Sequence, residues 1–222
     1  PMTVIKLCGL RRPEEIRLVN ELKPDYVGFM LYERSKRYCA PARLTELVAL
    51  LDPAITSVAV TVNAEPEFLV SLVAQGAVRA LQLHGHEDET YLRALRSLLE
   101  TRLGHTVPLI QAVALKTAAD LERARVSSAD ILLLDAQGGG SGTCFDWGLL
   151  TPQVRATLRA RPWFLAGGLR PENVATALAT VQPWGVDVSS GLESPEGCGV
   201  KDLAKLRAFC AAVRAADEPQ SN

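Results

Sequence analysis

The apolar residues of this chain change their spacing again and again from one end to the other. Short runs that are hydrophobic on both faces each give way to a stretch with the 3.6-residue rhythm of an amphipathic helix. The runs that read as strands are Thr3–Cys8, Tyr26–Leu31, Ser57–Val62, Arg79–Leu83, Pro108–Val113, Asp130–Asp135, Trp163–Ala166 and Gly185–Val188. The helices expected after them run from about Pro13 to Leu22, Pro41 to Leu51, Pro66 to Gln75, Glu89 to Thr101, Ala118 to Ala124, Trp147 to Arg159, Pro171 to Val181 and Lys201 to Ala215. Strands that alternate with helices imply βαβ units and a parallel sheet. Strands apolar on both faces suit a sheet buried on both sides.

Eight units of about 28 residues use up the 222 residues. Eight is the number that closes a (β/α)8 TIM barrel, so the expected fold is α/β, a single (β/α)8 barrel over residues 2–216 with a polar, frayed tail at 217–222. An open doubly wound sheet is the alternative. It would carry GxGxxG after its first strand, where this chain has Cys8-Gly9-Leu10-Arg11-Arg12-Pro13.

Composition narrows the function. The chain has 24 Lys+Arg against 25 Asp+Glu, so no basic excess is present to bind a phosphate backbone, and nucleic acid is not an expected partner. No apolar run reaches the roughly 18 residues of a membrane span. Five cysteines without a CxxC pair argue against a disulfide framework and a cysteine zinc site. No signal peptide is read at the N-terminus, and a reducing cytoplasm is the expected location. The longest irregular stretch, residues 136–145, holds Gly138-Gly139-Gly140-Ser141-Gly142; a long Gly-rich loop in a compact domain is a functional candidate, with a plain connector as the competing reading.

In such a barrel the active site gathers at the C-terminal ends of the strands. The polar residues there are Cys8, Gln82 and His84, Asp135, Gly167 and Gly168, then Ser189, Ser190 and Gly191. Asp135 emerges from Ile131-Leu132-Leu133-Leu134, and an apolar setting favours the protonated carboxyl that a general acid needs; a helix cap or a loop ion pair is the competing reading. Cys8 reads either as a small buried hydrophobe or as a base. Strands 1 and 6 lie three steps apart around a ring of eight, so the two side chains would face each other across the mouth. Lys6 shares the face of Cys8 and needs a partner inside a barrel; Asp187 on the neighbouring eighth strand is the expected one. Gly167-Gly168 and Ser189-Ser190-Gly191 stand where this fold commonly binds phosphate, in the loops after strands 7 and 8. Arg34, Lys36 and Arg37 follow strand 2, where a guanidinium could hold a substrate carboxylate, or the run is a solvated surface. His84-Gly85-His86 suggests a metal superficially, but no further ligands cluster at suitable spacing, and no metal is expected.

Taken in order, the motifs resemble the phosphoribosylanthranilate isomerase family of tryptophan biosynthesis. They are Lys6-Leu7-Cys8-Gly9-Leu10, Gly28-Phe29 with Ser35-Lys36-Arg37-Tyr38, Val62-Asn63, Gln82-Leu83-His84-Gly85 and Leu134-Asp135. After these come Gly139-Gly140-Ser141-Gly142 with Phe145-Asp146-Trp147, Ala166-Gly167-Gly168-Leu169 with Pro171-Glu172-Asn173-Val174, and Val186-Asp187-Val188-Ser189-Ser190-Gly191-Leu192-Glu193. The resemblance implies an Amadori rearrangement of N-(5-phosphoribosyl)anthranilate, with Asp135 as acid and Cys8 as base. It implies substrate contacts from Arg37, His84, Gly167, Gly168, Asp187, Ser189, Ser190 and Gly191, a small phosphosugar as substrate, no cofactor, and a monomer or homodimer. Family members usually carry Lys after the Gly-[Ser/Thr]-Gly of the sixth loop, whereas Thr143 and Cys144 follow Gly142 here, which bears on any loop cation but not on the acid–base pair. Thr61 also stands where an apolar residue is more common. Two other readings are the sister isomerase of histidine biosynthesis, which typically has an aspartate at the end of strand 1, and a non-catalytic sugar-phosphate binder.

Overall fold

Each of the eight apolar runs forms a strand in the computed structural model, which describes residues 2–135 and 161–218 together with Leu150, Ala156 and Leu158. The Gly-rich loop expected over 136–145, the residues Thr143 and Cys144, and most of the helix expected over Trp147–Arg159 lie outside the described residues, as do the tail residues 219–222. The strands are β1 Val4–Cys8, β2 Tyr26–Met30, β3 Thr56–Thr61, β4 Ala80–Leu83, β5 Leu109–Ala114, β6 Ile131–Asp135, β7 Trp163–Ala166 and β8 Gly185–Val188. They pair parallel in chain order, and β8 returns to β1, so the sheet closes. Closure settles the choice against an open doubly wound sheet.

Seven described helices cover the outside: α1 Pro13–Leu22, α2 Pro41–Ala49, α3 Pro66–Ala74, α4 Glu89–Leu103, α5 Ala118–Val126, α6 Val174–Val181 and α7 Leu203–Asp217. The first three open with proline, whose missing N–H costs nothing in a first turn. Asp88 caps α4, and a Thr117–Asp120 capping box opens α5.

Two helices start later than their sequence suggests. The expected start at Pro171 gives way to Val174, because Asn173 folds back on the preceding loop: its Oδ1 accepts from Arg170 N and its Nδ2 donates to the Gly168 carbonyl. The expected start at Lys201 gives way to Leu203, because the Asp202 carboxylate takes the orphan N–H groups of Ala204 and Lys205. Lys201 is thereby left outside the helix, paired with Glu193 in a short antiparallel bridge. At its other end α7 runs on to Asp217, whose carboxylate accepts from the N–H and Oγ1 of Thr3, so this residue is tied to the body rather than frayed.

The strands divide the apolar residues into two compartments. Alternate residues such as Ile5, Leu7, Val27, Leu132 and Leu165 pack under the helices. The intervening ones, among them Cys8, Val58, Val60, Ile110, Leu133 and Phe164, fill the inside of the barrel. Tyr26, Phe164 and Trp184 meet edge to face near the N-terminal ends of the strands, with centroids 5.1–6.4 Å apart, and form a floor. With one end filled, the opposite end holds the cavity.

Candidate active site

A cavity of about 340 Å³ opens at the C-terminal ends of the strands. Its walls include Cys8, Met30, Arg37, Gln82, His84, Leu133, Asp135, the run Ala166-Gly167-Gly168-Leu169, and Asp187-Val188-Ser189-Ser190. The tertiary structure thus brings nine of the sequence-derived site residues to one pit: Cys8, Arg37, His84, Asp135, Gly167, Gly168, Asp187, Ser189 and Ser190. Gly191 is buried behind that wall. A Cβ there would collide with the Leu169 carbonyl, so glycine is what lets the β8 loop pack against the β7 loop. Gly167 and Gly168 take φ values of 94° and 66°, a region that side chains disfavour.

Cys8 and Asp135 end β1 and β6, which stand three strands apart around the ring. Cys8 is almost wholly buried, while Asp135 is half-buried. Beneath Cys8, Lys6 Nζ lies 2.6 Å from Asp187 Oδ1, well inside the distance that an interior ion pair requires. Burial opposes the Lys6 charge, but Asp187 and Cys8 more than compensate, and its pKa rises above the ordinary lysine value. Burial also pushes the Cys8 thiol up, against the pull of Lys6. His84 opens to solvent at the mouth, and desolvation by the surrounding walls lowers its pKa, against the opposing influence of Asp135 and Asp187. Its Nδ1 lies 2.9 Å from Gln82 Nε2; if that amide nitrogen donates, the ring proton sits on Nε2.

One network escaped sequence reasoning. Arg37 grips Glu193 through two bonds, Nε to Oε1 at 2.5 Å and Nη2 to Oε2 at 3.1 Å. Glu193 also accepts from Lys201 Nζ and from the Gly199 N–H. Lys201 Nζ donates in turn to the backbone carbonyl of Ser189, with Ser189 Oγ 3.2 Å away. The wholly buried Glu193 carboxylate is pushed up by burial, yet its bonds from Arg37, Gly199 and Lys201 bring its pKa down to about 2. This wire ties the arginine on the β2 loop to the serine on the β8 loop. Asp202, a better N-cap than lysine, was the signal that Lys201 stands outside the last helix. Glu193 ends the last motif of the family resemblance, but nothing local gave it a partner or a role.

A closed parallel barrel with an acid, a thiol and a glycine–serine rim converging on one pit defines the class: a (β/α)8-barrel enzyme. Residues 5–212 match the family of N-(5'phosphoribosyl)anthranilate (PRA) isomerases. The N-(5'-phosphoribosyl)anthranilate isomerase of Acetivibrio thermocellus is 41% identical over 97% of this chain and 98% of its own length. The crystal structure of phosphoribosyl anthranilate isomerase from Thermotoga maritima has a TM-score of 0.81 at 35% identity, covering 96% of this chain and all of that one. A phosphoribosyl anthranilate isomerase solved with reduced 1-(o-carboxyphenylamino)-1-deoxyribulose 5-phosphate has a TM-score of 0.79 at 34% identity, with 96% and 100% coverage. The chain belongs to the N-(5'-phosphoribosyl)anthranilate isomerase family, enzymes of tryptophan biosynthesis.

Proposed function

We propose that the pit converts N-(5'-phosphoribosyl)anthranilate to 1-(o-carboxyphenylamino)-1-deoxyribulose 5-phosphate by general acid–base catalysis. Asp135 gives its proton to the ribose ring oxygen. The C1–O bond breaks as the anilino nitrogen's lone pair forms the C1=N iminium. Cys8, as thiolate, takes the C2 proton, and the C2–H electron pair becomes the C1–C2 double bond while nitrogen regains its lone pair. The enolamine then tautomerises to the ketone. Burial by itself favours the neutral thiol. The iminium charge favours the thiolate and acidifies C2, so the acid step prepares the base step.

The observation that carries this reading is the convergence of Cys8 and Asp135 on one cavity whose rim is Gly167, Gly168, Ser189 and Ser190. That rim suits a phosphate, and Arg37, oriented by Glu193, suits the anthranilate carboxylate. Loss of phosphoribosylanthranilate fluorescence tests the assignment. Asp135→Asn and Cys8→Ser are each expected to lower kcat by about 10²–10⁴ with KM nearly unchanged. Near-normal turnover in either variant removes that residue from its role.

A further inference from the structure

We propose that Lys6 and Asp187 are positioning residues for the base: the Lys6 ammonium favours the Cys8 thiolate, the Asp187 carboxylate opposes it, and the pair together sets how readily Cys8 gives up its proton. This rests on the reading of Cys8 as the base. The geometry is specific. Lys6 lies two residues before Cys8 on the same face of β1, and Asp187 is its register partner on β8, with the charged groups 2.6 Å apart. On the other side, Gly28 is the register partner of Cys8. A Cβ on Gly28 would lie 2.6 Å from Cys8 Sγ and 3.2 Å from Lys6 Nζ, so sulfur and ammonium border one small space that glycine leaves open.

An ion pair is a poor device for stability at this depth. Apolar replacements of buried pairs are often neutral or stabilising. The buried apolar residues that share this interior with Cys8 are valine, isoleucine, leucine, phenylalanine and alanine. A lysine with no exposed surface, placed directly below the thiol, calls for a chemical explanation. The other charged and titratable groups around Cys8 come from different elements. Lys201 approaches past Gly9, where a Cβ would lie 3.2 Å from its Nζ; Tyr26 on β2 is in register with Lys6; Asp135 and His84 stand on the other walls of the pit. Among the charges that act on the sulfur, Lys6 and Lys201 favour the thiolate, while Asp187 favours the thiol.

The opposite signs give a two-way test on the full-length chain. The rate of Cys8 alkylation by iodoacetamide is followed against pH, with the Cys8 peptide quantified by mass spectrometry. Lys6→Met is expected to move the midpoint up by about one pH unit or more. Asp187→Asn is expected to move it down by about half a unit or more, and the Lys6→Met/Asp187→Asn double variant is expected to fall between the two. Unchanged midpoints, or both single variants shifting the same way, overturn the proposal. If Lys6→Met leaves Asp187 unpaired and does not fold, Asp187→Asn decides alone: no downward shift sinks the idea. Alkylation reads thiol acidity without turnover. An active Cys8→Ser enzyme would therefore dismiss Cys8 as base while leaving the electrostatic result standing.

Discussion

At Gly28 a missing side chain does chemical work through space alone. Its backbone is that of an ordinary strand residue, in register with Cys8 on one side and Val58 on the other. Any Cβ there would press on the Cys8 sulfur. The sulfur is the movable partner, so Gly28→Ala is expected to turn it off the pit axis rather than to unfold the barrel. Turnover should fall at least about tenfold, since small displacements of a reacting group are costly, while the melting temperature drops by only a few degrees. Parallel rate and melting measurements check this, and an unchanged kcat would show that the sulfur's position is not tuned by that gap. Residue-level chemistry of this kind was half legible. Cys8, Asp135 and Lys6 were found from strand ends and parity, but the crowding at Gly28 depends on a neighbouring strand.

Between elements, Glu193 is the joint. It connects the β2 loop through Arg37, the residues before α7 through Lys201 and Gly199, and through Lys201 the β8 loop at Ser189. Its carboxyl is held at about 2 in the fold against an ordinary 4.5. A lowered folded-state value stabilises fully above the unfolded pKa and is lost as pH falls through the folded one, so this contribution fades between about pH 4.5 and pH 2. Glu193→Gln should flatten the fall in stability across that window. Near neutral pH it should cost about 3 kcal/mol, because Lys201 is left buried without its carboxylate. Urea titrations at a series of pH values read both effects. A variant as stable as the parent at neutral pH would mean that the pair is not a structural joint.

For the molecule as a whole, the decisive arrangement is a barrel filled at one end and open at the other. Phe164 sits against Tyr26 and Trp184 in the floor and is wholly buried. Phe164→Ala would leave a void among residues that the closed sheet holds apart. It is expected to destabilise the fold by roughly 3–5 kcal/mol. Chemical denaturation measures this, and a loss below about 1 kcal/mol would show that the floor collapses to fill the gap.

The order of strands and helices, the inward parity of Lys6 and Cys8, and the glycine–serine rim were written in local pattern, because hydrophobic period and turn chemistry act over a few residues. What followed from closing the ring could not be read that way. The Arg37–Glu193–Lys201 wire joins side chains up to 164 positions apart, and the late starts of α6 and α7 reflect single side chains competing for backbone groups. Distances of that kind are set when eight strands meet around one axis, and only the folded chain contains them.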